Sequence, residues 1–194
     1  MKIKIEIFIF VAVISALSFL KLPLESSDLF ILPFFALVLL RLCYLIRRKE
    51  LLAKKDFFNF RNSKSAIISY FTFSIIAILF LWFFKDKISL PIWLSDNDWL
   101  WFMAFHVLFQ EIIFRAYLVN RLKFVFKNPF LIAIISGGIF GLAHFILPDA
   151  LLVVIFTFIS GTVWSFLYFK YPNLIYVWLS HLAINLSINF LYLI

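Results

Sequence analysis

Seven apolar runs, each long enough to cross a bilayer, divide the chain at approximately 3–22, 29–46, 66–84, 99–119, 130–147, 150–169 and 173–194. A helical span needs about 17–25 predominantly apolar residues, and in hydrocarbon the backbone must satisfy its own hydrogen bonds. The chain therefore reads as all-α, a polytopic membrane bundle of about seven transmembrane helices. Composition agrees: 65% of the 194 residues are hydrophobic and 28 are Phe, whereas a soluble domain is roughly half apolar. The opening MKIKIEIFIFVAVISALSFL resembles a signal peptide. It lacks a small-residue cleavage site and begins a series of similar spans, so it reads as a retained first helix. The separators are short and polar or Pro-containing, with no internal repeat and no separate soluble domain, so 1–194 is one membrane domain. The single cysteine, Cys43, has no partner for an internal disulfide and reads as a small buried hydrophobe.

The net charge of +8 raises nucleic acid as a partner, but the distribution of the charge argues against it. With the N-terminus inside, the inner loops hold Lys2, Lys4, Arg47, Arg48, Lys49, Lys54, Lys55, Arg61, Lys64, Arg121, Lys123, Lys127 and Lys170. The outer loops hold Lys21, Lys85 and Lys87. That asymmetry predicts a cytoplasmic N-terminus and an extracytoplasmic C-terminus, with the basic loops, above all 47–65, lying against anionic headgroups. Trp93, Trp99 and Trp101 cluster at the outer end of the fourth span, where an aromatic belt is expected.

Three spans carry polar groups that a lipid-facing helix does not need. The fourth has His106, Gln110, Glu111 and Arg115; the fifth has His144 in SGGIFGLAHF; the seventh has Ser180, His181, Asn185 and Asn189. A charge in hydrocarbon costs at least ~2.5–3.5 kcal/mol on insertion scales, so such residues face the bundle interior and mark a functional site. At about 1.5 Å per residue, Glu111, His144, His181 and Asn185 reach comparable depths near the midplane and can meet in one cavity. His181 and Asn185 share a helix face, as do Glu111 and Arg115, the latter with the acid N-terminal, the better order for pairing. Gly137 and Gly141 form a GxxxG that admits a neighbouring helix beside His144; plain packing explains that motif equally well. A carboxylate, two histidines and an amide suit hydrolysis, with a base for water and donors for an oxyanion. The structural alternative is a polar network between helices, with Glu111 and Arg115 as no more than a buried ion pair and His106 as a packing residue. Two histidines and a carboxylate are also zinc donors, but there is no HExxH and the spacing fixes no ligand geometry, so no metal or cofactor is expected.

Three motifs run in order on three spans: Q-E-x-x-x-R at 110–115, F-x-x-x-H at 140–144 and H-x-x-x-N at 181–185. Together they resemble the E-E-x-x-x-R, F-x-x-x-H and H-x-x-x-N/B motifs of the CPBP family, the CAAX prenyl endopeptidases and bacteriocin-processing enzymes formerly called ABI. The resemblance covers roughly 97–194, the catalytic part; 1–96 would be variable spans and the basic cytoplasmic loop. It implies a glutamic-type intramembrane endopeptidase without cofactor, acting on a membrane-anchored protein or peptide. Glu111 with His144 would activate water, His181 with Asn185 would support the oxyanion, and Gln110, Arg115 and Phe140 would assist. The chain departs from the family at the first acid, where Gln110 stands in place of Glu; an amide cannot accept the proton. Either Glu111 is then the base, or His144 is with Gln110 positioning the water, or the chain no longer cleaves. Short bacterial members of this kind, of the myxosortase and JDVT-CTERM type, resemble the chain in compactness and imply C-terminal sorting anchors as substrates at a bacterial inner membrane. Two other classes stay open: a silent membrane-binding protein such as a bacteriocin-immunity factor, and a small transporter with a Glu–His proton relay. Substrate identity and oligomeric state are not legible.

Overall fold

A computed structural model describes residues 2–19, 37–38, 40–41, 44–45, 58–85, 99–145 and 150–193. Most of the expected second span, Cys43, the 47–57 part of the basic loop, Trp93 and the 147–149 turn lie outside the described residues. Six long helices are present among the described residues: α1 Lys2–Phe19, α2 Ser63–Phe84, α3 beginning as Trp99–Glu111, α4 Pro129–Ala143, α5 Ala150–Lys170 and α6 Leu174–Leu193. Leu37, Val38, Leu40, Arg41, Tyr44 and Leu45 are helical as well. No strand forms among the described residues beyond an isolated bridge between Phe58 and Asn173.

Local sequence explains where the helices begin. Asn128 caps α4, its Oδ1 accepting from the backbone N–H of Phe130 at 2.9 Å and of Leu131 at 3.3 Å, with Pro129 in the first turn where no N–H is needed. Asn173 does the same for α6, accepting from Ile175 and Tyr176 at 3.0 and 3.3 Å. Its amide also donates to the Asn59 carbonyl at 3.3 Å, which ties the approach to α2 to the start of α6.

The core is mainly apolar, but the exterior is apolar too and several polar groups are enclosed. Phe8, Phe71, Phe83, Leu151 and Phe190 are exposed, while Glu111, Arg115, Asn120, Ser136, Ser165 and Asn173 are fully buried. Two helices, Ser63–Phe84 and Leu151–Lys170, are by length and apolarity able to cross a bilayer. An apolar exterior as well as an apolar core, with the charged and amide groups enclosed, is the arrangement that hydrocarbon solvent favours.

Small residues and hydroxyls bring the helices together. At Gly137 an added Cβ would stand 2.6 Å from the Thr162 backbone N and 2.8 Å from the Phe158 carbonyl; at Gly141 it would stand 3.0 Å from the Val154 carbonyl. The GxxxG stripe is thus where α5 presses on α4. Ser165 donates to Ser136 across the same pair at 2.9 Å, and Ser74 and Ser180 join α2 to α6 at 2.8 Å.

The third helix is not uniform. After Glu111 it continues as a π-helix over Ile112–Val119 and returns to α geometry at Asn120–Leu122. The apolar run at 99–119 predicts an ordinary helix. Hydropathy does not distinguish i→i+4 from i→i+5 bonding, because Ile113 to Val119 are all buried and no polar face marks the register. π turns concentrate at functional sites, and this one begins beside Glu111.

Candidate active site

Glu111 and Arg115 both have no solvent exposure. A π turn holds more residues than an α turn, so positions four apart come nearly into line along the axis. Arg115 Nε stands 3.1 Å from Glu111 Oε2. The N–H is not directed along that line, so the contact is an ion pair without a hydrogen bond, and Arg115 Nε and Nη1 and Glu111 Oε2 have no hydrogen-bond partner among the described residues. Arg115 Nη2 donates to the Gly161 carbonyl at 3.4 Å, and the guanidinium lies 4.7 Å from the Phe140 ring centre and 5.4 Å from that of Trp164. Aromatic faces attract a cation most where water is excluded.

The other oxygen of Glu111 meets α6. His181 Nδ1 lies 2.6 Å from Glu111 Oε1. A carboxylate beside a guanidinium is acceptor-only, so His181 Nδ1 carries the proton and donates. In the neutral ring Nε2 is then a bare lone pair. His144 repeats the pattern: its Nδ1 lies 2.8 Å from the Phe140 carbonyl, which can only accept, so there too Nε2 is the lone pair. Neither Nε2 has a partner among the described residues.

Phe140 joins these groups. Its ring centre lies 4.6 Å from His144, 5.7 Å from His181 and 4.9 Å from Phe114. Room for it comes from Gly161, where a Cβ would stand 2.8 Å from Phe140 Cδ1. The spacing F-x-x-x-H is explained in the same way, because His144 at the C-cap of α4 turns back onto the carbonyl four residues earlier.

The sequence-expected residues are therefore distributed as follows. Glu111, Arg115, Phe140 and His181 pack together, with His144 against the same Phe140 ring. Glu111 bonds His181, not His144, because α4 ends at Ala143 and His144 is spent on its own helix terminus. Gln110 follows a different azimuth from Glu111, as adjacent helical residues must, and its amide Nε2 donates to His106 Nε2 at 2.9 Å. Asn185 faces α3 one turn beyond His181, and its amide meets Met103 Sδ at 3.6 Å, a weak acceptor.

Trp164 was not singled out by sequence reasoning. It is buried, stacks on His181 with centres 4.3 Å apart and rings tilted by 33°, and donates from Nε1 to Ser180 Oγ at 2.9 Å. The available signal was a Trp in mid-span, away from the interfacial belt where Trp is usual. Among the described residues no three His, Cys, Asp or Glu side chains gather as a metal site; Glu111 and His181 supply two donors, and both are already engaged. In chemical terms the arrangement is a carboxylate–imidazole pair clamped by a guanidinium, sheltered by aromatic rings, with a second imidazole alongside. Such a pair can relay a proton.

Comparison with curated proteins and with solved structures gives no match. A family model does match, over residues 91–187, half of the chain and the part that carries α3, α4, α5, most of α6 and every residue of this cluster. With that match and its apolar exterior the chain is an integral membrane protein of a protease family: it belongs to the type II CAAX prenyl endopeptidase Rce1-like family.

Proposed function

We propose that the chain is an intramembrane endopeptidase that hydrolyses a peptide bond of a membrane-anchored or C-terminally anchored protein, with Glu111, His144, His181 and Asn185 as its reacting groups. One observation carries the reading: the 2.6 Å contact of Glu111 with His181 Nδ1, beside Arg115 and away from solvent. It divides the labour differently from the family resemblance. Glu111, ionised beside Arg115, orients His181 and balances its charge. His181 Nε2 takes a proton from water as the water oxygen bonds to the scissile carbonyl carbon. The imidazolium then gives that proton to the departing amine. His144 Nε2 accepts the second hydrogen of the same water. The Asn185 amide, which among the described residues meets a thioether, exchanges that contact for the oxyanion.

The finer elements are proposals of the same kind. Residues 97–194 carry the chemistry, and 1–96 supply supporting spans. The protein lies in a bacterial inner membrane with its N-terminus cytoplasmic. The substrate is a sorting-type protein with a C-terminal membrane anchor, cut near its embedded end.

The test is cleavage of a candidate anchored protein, encoded beside this chain, when both are produced in one membrane. Wild type is expected to release a product of defined mass, and Glu111→Gln and His181→Gln are expected to release none while inserting normally. A second reading, a silent membrane-binding protein, is favoured by the amide at Gln110 and by the complete engagement of Glu111. It is the right one if the wild type holds its partner stably through purification and leaves it intact.

A further inference from the structure

A chain of buried polar groups runs between three helices and ends beside the reacting imidazole. Trp164 of α5 is 2% exposed, and its indole N–H, which can only donate, meets Ser180 Oγ of α6 at 2.9 Å. Ser180 Oγ lies 2.8 Å from Ser74 Oγ of α2, and Ser74 Oγ lies 3.0 Å from the Tyr70 carbonyl, which can only accept. The two ends fix the direction of the shortest route: the indole donates to Ser180, Ser180 to Ser74, and Ser74 to the Tyr70 carbonyl. Contacts of 3.4 Å from Ser74 to the Ser180 carbonyl and from Ser180 to the Tyr70 carbonyl are longer and weaker alternatives. Ser74 and Ser180 are buried as well, so each hydroxyl is spent where water does not replace a lost partner.

Adjacent helical residues point about 100° apart, so Ser180 faces α2 and α5 while His181 faces Glu111. Trp164 spans both. Its N–H edge is held at Ser180, and its ring lies against His181 with centres 4.3 Å apart and planes tilted by 33°. The Arg115 guanidinium sits 5.4 Å from the centre of the same ring system. One indole therefore bears on both partners of the Glu111 carboxylate. α2 supports the indole twice, through Ser74 and through Phe73, whose ring meets it edge-to-face with centres 5.6 Å apart. This helix, Ser63–Phe84, lies outside residues 91–187, the part that matches the family model.

We propose, resting on the reading of His181 as a reacting group, that Trp164 is its positioning residue and that Ser74 and Phe73 hold Trp164 in place. The orientation of the imidazole is then set by a helix outside the matched half of the chain. The bond to Glu111 fixes one atom of the imidazole, Nδ1, and leaves the plane of the ring to its neighbours. Of the rings around it, Trp164 at 4.3 Å is nearer than Phe140 at 5.7 Å. Stacking on the indole fixes that plane, and with it the direction of the Nε2 lone pair. The indole is fixed in turn at its N–H, because a buried donor that leaves its acceptor bears the full cost of its desolvation. Ser74 completes this restraint by accepting the Ser180 hydrogen and so turning the Ser180 lone pairs toward the indole.

The experiment is NMR of the full chain carrying isotope-labelled histidine, in lipid nanodiscs, together with the cleavage assay. The chain has three histidines, and His181→Gln assigns the His181 signals. Wild type is expected to show His181 with its proton on Nδ1 and its carbon-bound ring protons shifted upfield by the indole. Trp164→Phe, which keeps an aromatic face and loses the N–H, is expected to weaken that upfield shift, and Ser74→Ala to weaken it less. Adding Ser74→Ala to Trp164→Phe is expected to change nothing further at His181, because Ser74 acts through the indole N–H. Phe71→Leu, at an exposed position of α2, is expected to leave the His181 signals and cleavage as in the wild type. In the cleavage assay Trp164→Leu is expected to lower kcat about 100-fold with KM unchanged, the loss that a misplaced reacting group gives, and Trp164→Phe to recover part of it. His181 signals that are the same in wild type and Trp164→Phe overturn the proposal, as does a further change when Ser74→Ala is added. So does a Trp164→Phe variant that moves the His181 signals and keeps the wild-type kcat. If the wild type cleaves nothing, the proposed function fails, and the NMR comparison alone decides whether α2 orients His181. If Trp164→Leu fails to fold, Trp164→Phe and Ser74→Ala decide.

Discussion

Both oxygens of Glu111 are engaged, Oε2 by Arg115 and Oε1 by His181, and this separates two effects of one substitution. Glu111→Gln removes the negative charge and leaves Arg115 buried without its counter-ion, a change that commonly costs about 3–5 kcal/mol. It also removes the acceptor that orients His181, and loss of a general acid–base group commonly costs ~10²–10⁴ in rate. The double variant Glu111→Gln, Arg115→Gln distinguishes them: it restores the thermal stability and membrane yield of the single variant but not cleavage. Recovery of cleavage would make the pair a structural ion pair and nothing more. Gln110→Ala is expected to lower activity less than Glu111→Gln in the same cleavage assay, because the Gln110 amide is held by His106, outside the Glu111 contacts. At this scale the sequence was partly legible. Charged and amide side chains in hydrocarbon announce themselves through their cost, so Glu111, Arg115 and His181 stood out. Which histidine Glu111 would meet did not, because depth along a span says nothing of azimuth or of where a helix stops.

Among the elements, the α4–α5 pair gives the sharpest test. Gly137 and Gly138 are adjacent, but a Cβ at Gly137 would stand 2.6 Å from the Thr162 backbone, whereas one at Gly138 would meet, among the described residues, a Phe158 ring carbon at 3.9 Å. Overpacking a tight interface costs about 1–3 kcal/mol. Gly137→Ala is therefore expected to lower the midpoint of thermal unfolding in detergent clearly, and Gly138→Ala to leave it nearly unchanged. Equal effects would mean that helix propensity rather than close approach governs these glycines. The stripe at Gly137 and Gly141 was readable as a spacing; its partner Gly161, lone in α5, was not, though it is what admits Phe140 beside the histidines. The π turn was equally hidden, since it changes the bonding of Ile112–Val119 and not their hydrophobicity. The limits of the apolar runs that fall on described helices agree with those helices to within a few residues, because apolar length is set by bilayer thickness; the run at 29–46 lies mostly outside the described residues.

For the whole molecule, the question is which helix ends share a side. Arg121 at the end of α3 reaches Glu6 near the start of α1, and Lys123 lies 5.0 Å from the Phe169 ring centre at the end of α5. The Asn59 backbone N–H donates to the Pro172 carbonyl at 3.1 Å, joining the approach to α2 to the start of α6. These contacts gather the starts of α1, α2 and α6 with the ends of α3 and α5 on one side, the side that carries the basic loops. If each of the described helices crosses the bilayer, alternation calls for one more crossing between α1 and α2, which the apolar run at 29–46 is expected to make. Charge counting placed these helix ends on one basic side as an expectation, but it passed over Glu6, whose carboxylate is surrounded by cations and so looked like part of a solvated basic end. The expected topology is seven crossings with the N-terminus cytoplasmic and the C-terminus outside. The one native cysteine, Cys43, makes a direct test available, because Cys43→Ser leaves a thiol-free background. In that background Asn128→Cys, in an exposed loop on the basic side, is expected to resist a membrane-impermeant maleimide in intact cells and to react after lysis. Lys85→Cys and a cysteine appended after Ile194 are expected to react in intact cells. If Asn128→Cys reacts in intact cells and Lys85→Cys does not, the orientation is inverted. If Lys85→Cys and the appended cysteine fall on opposite sides, the crossing count between them is odd, and the helix order from α3 to α6 cannot be the one described.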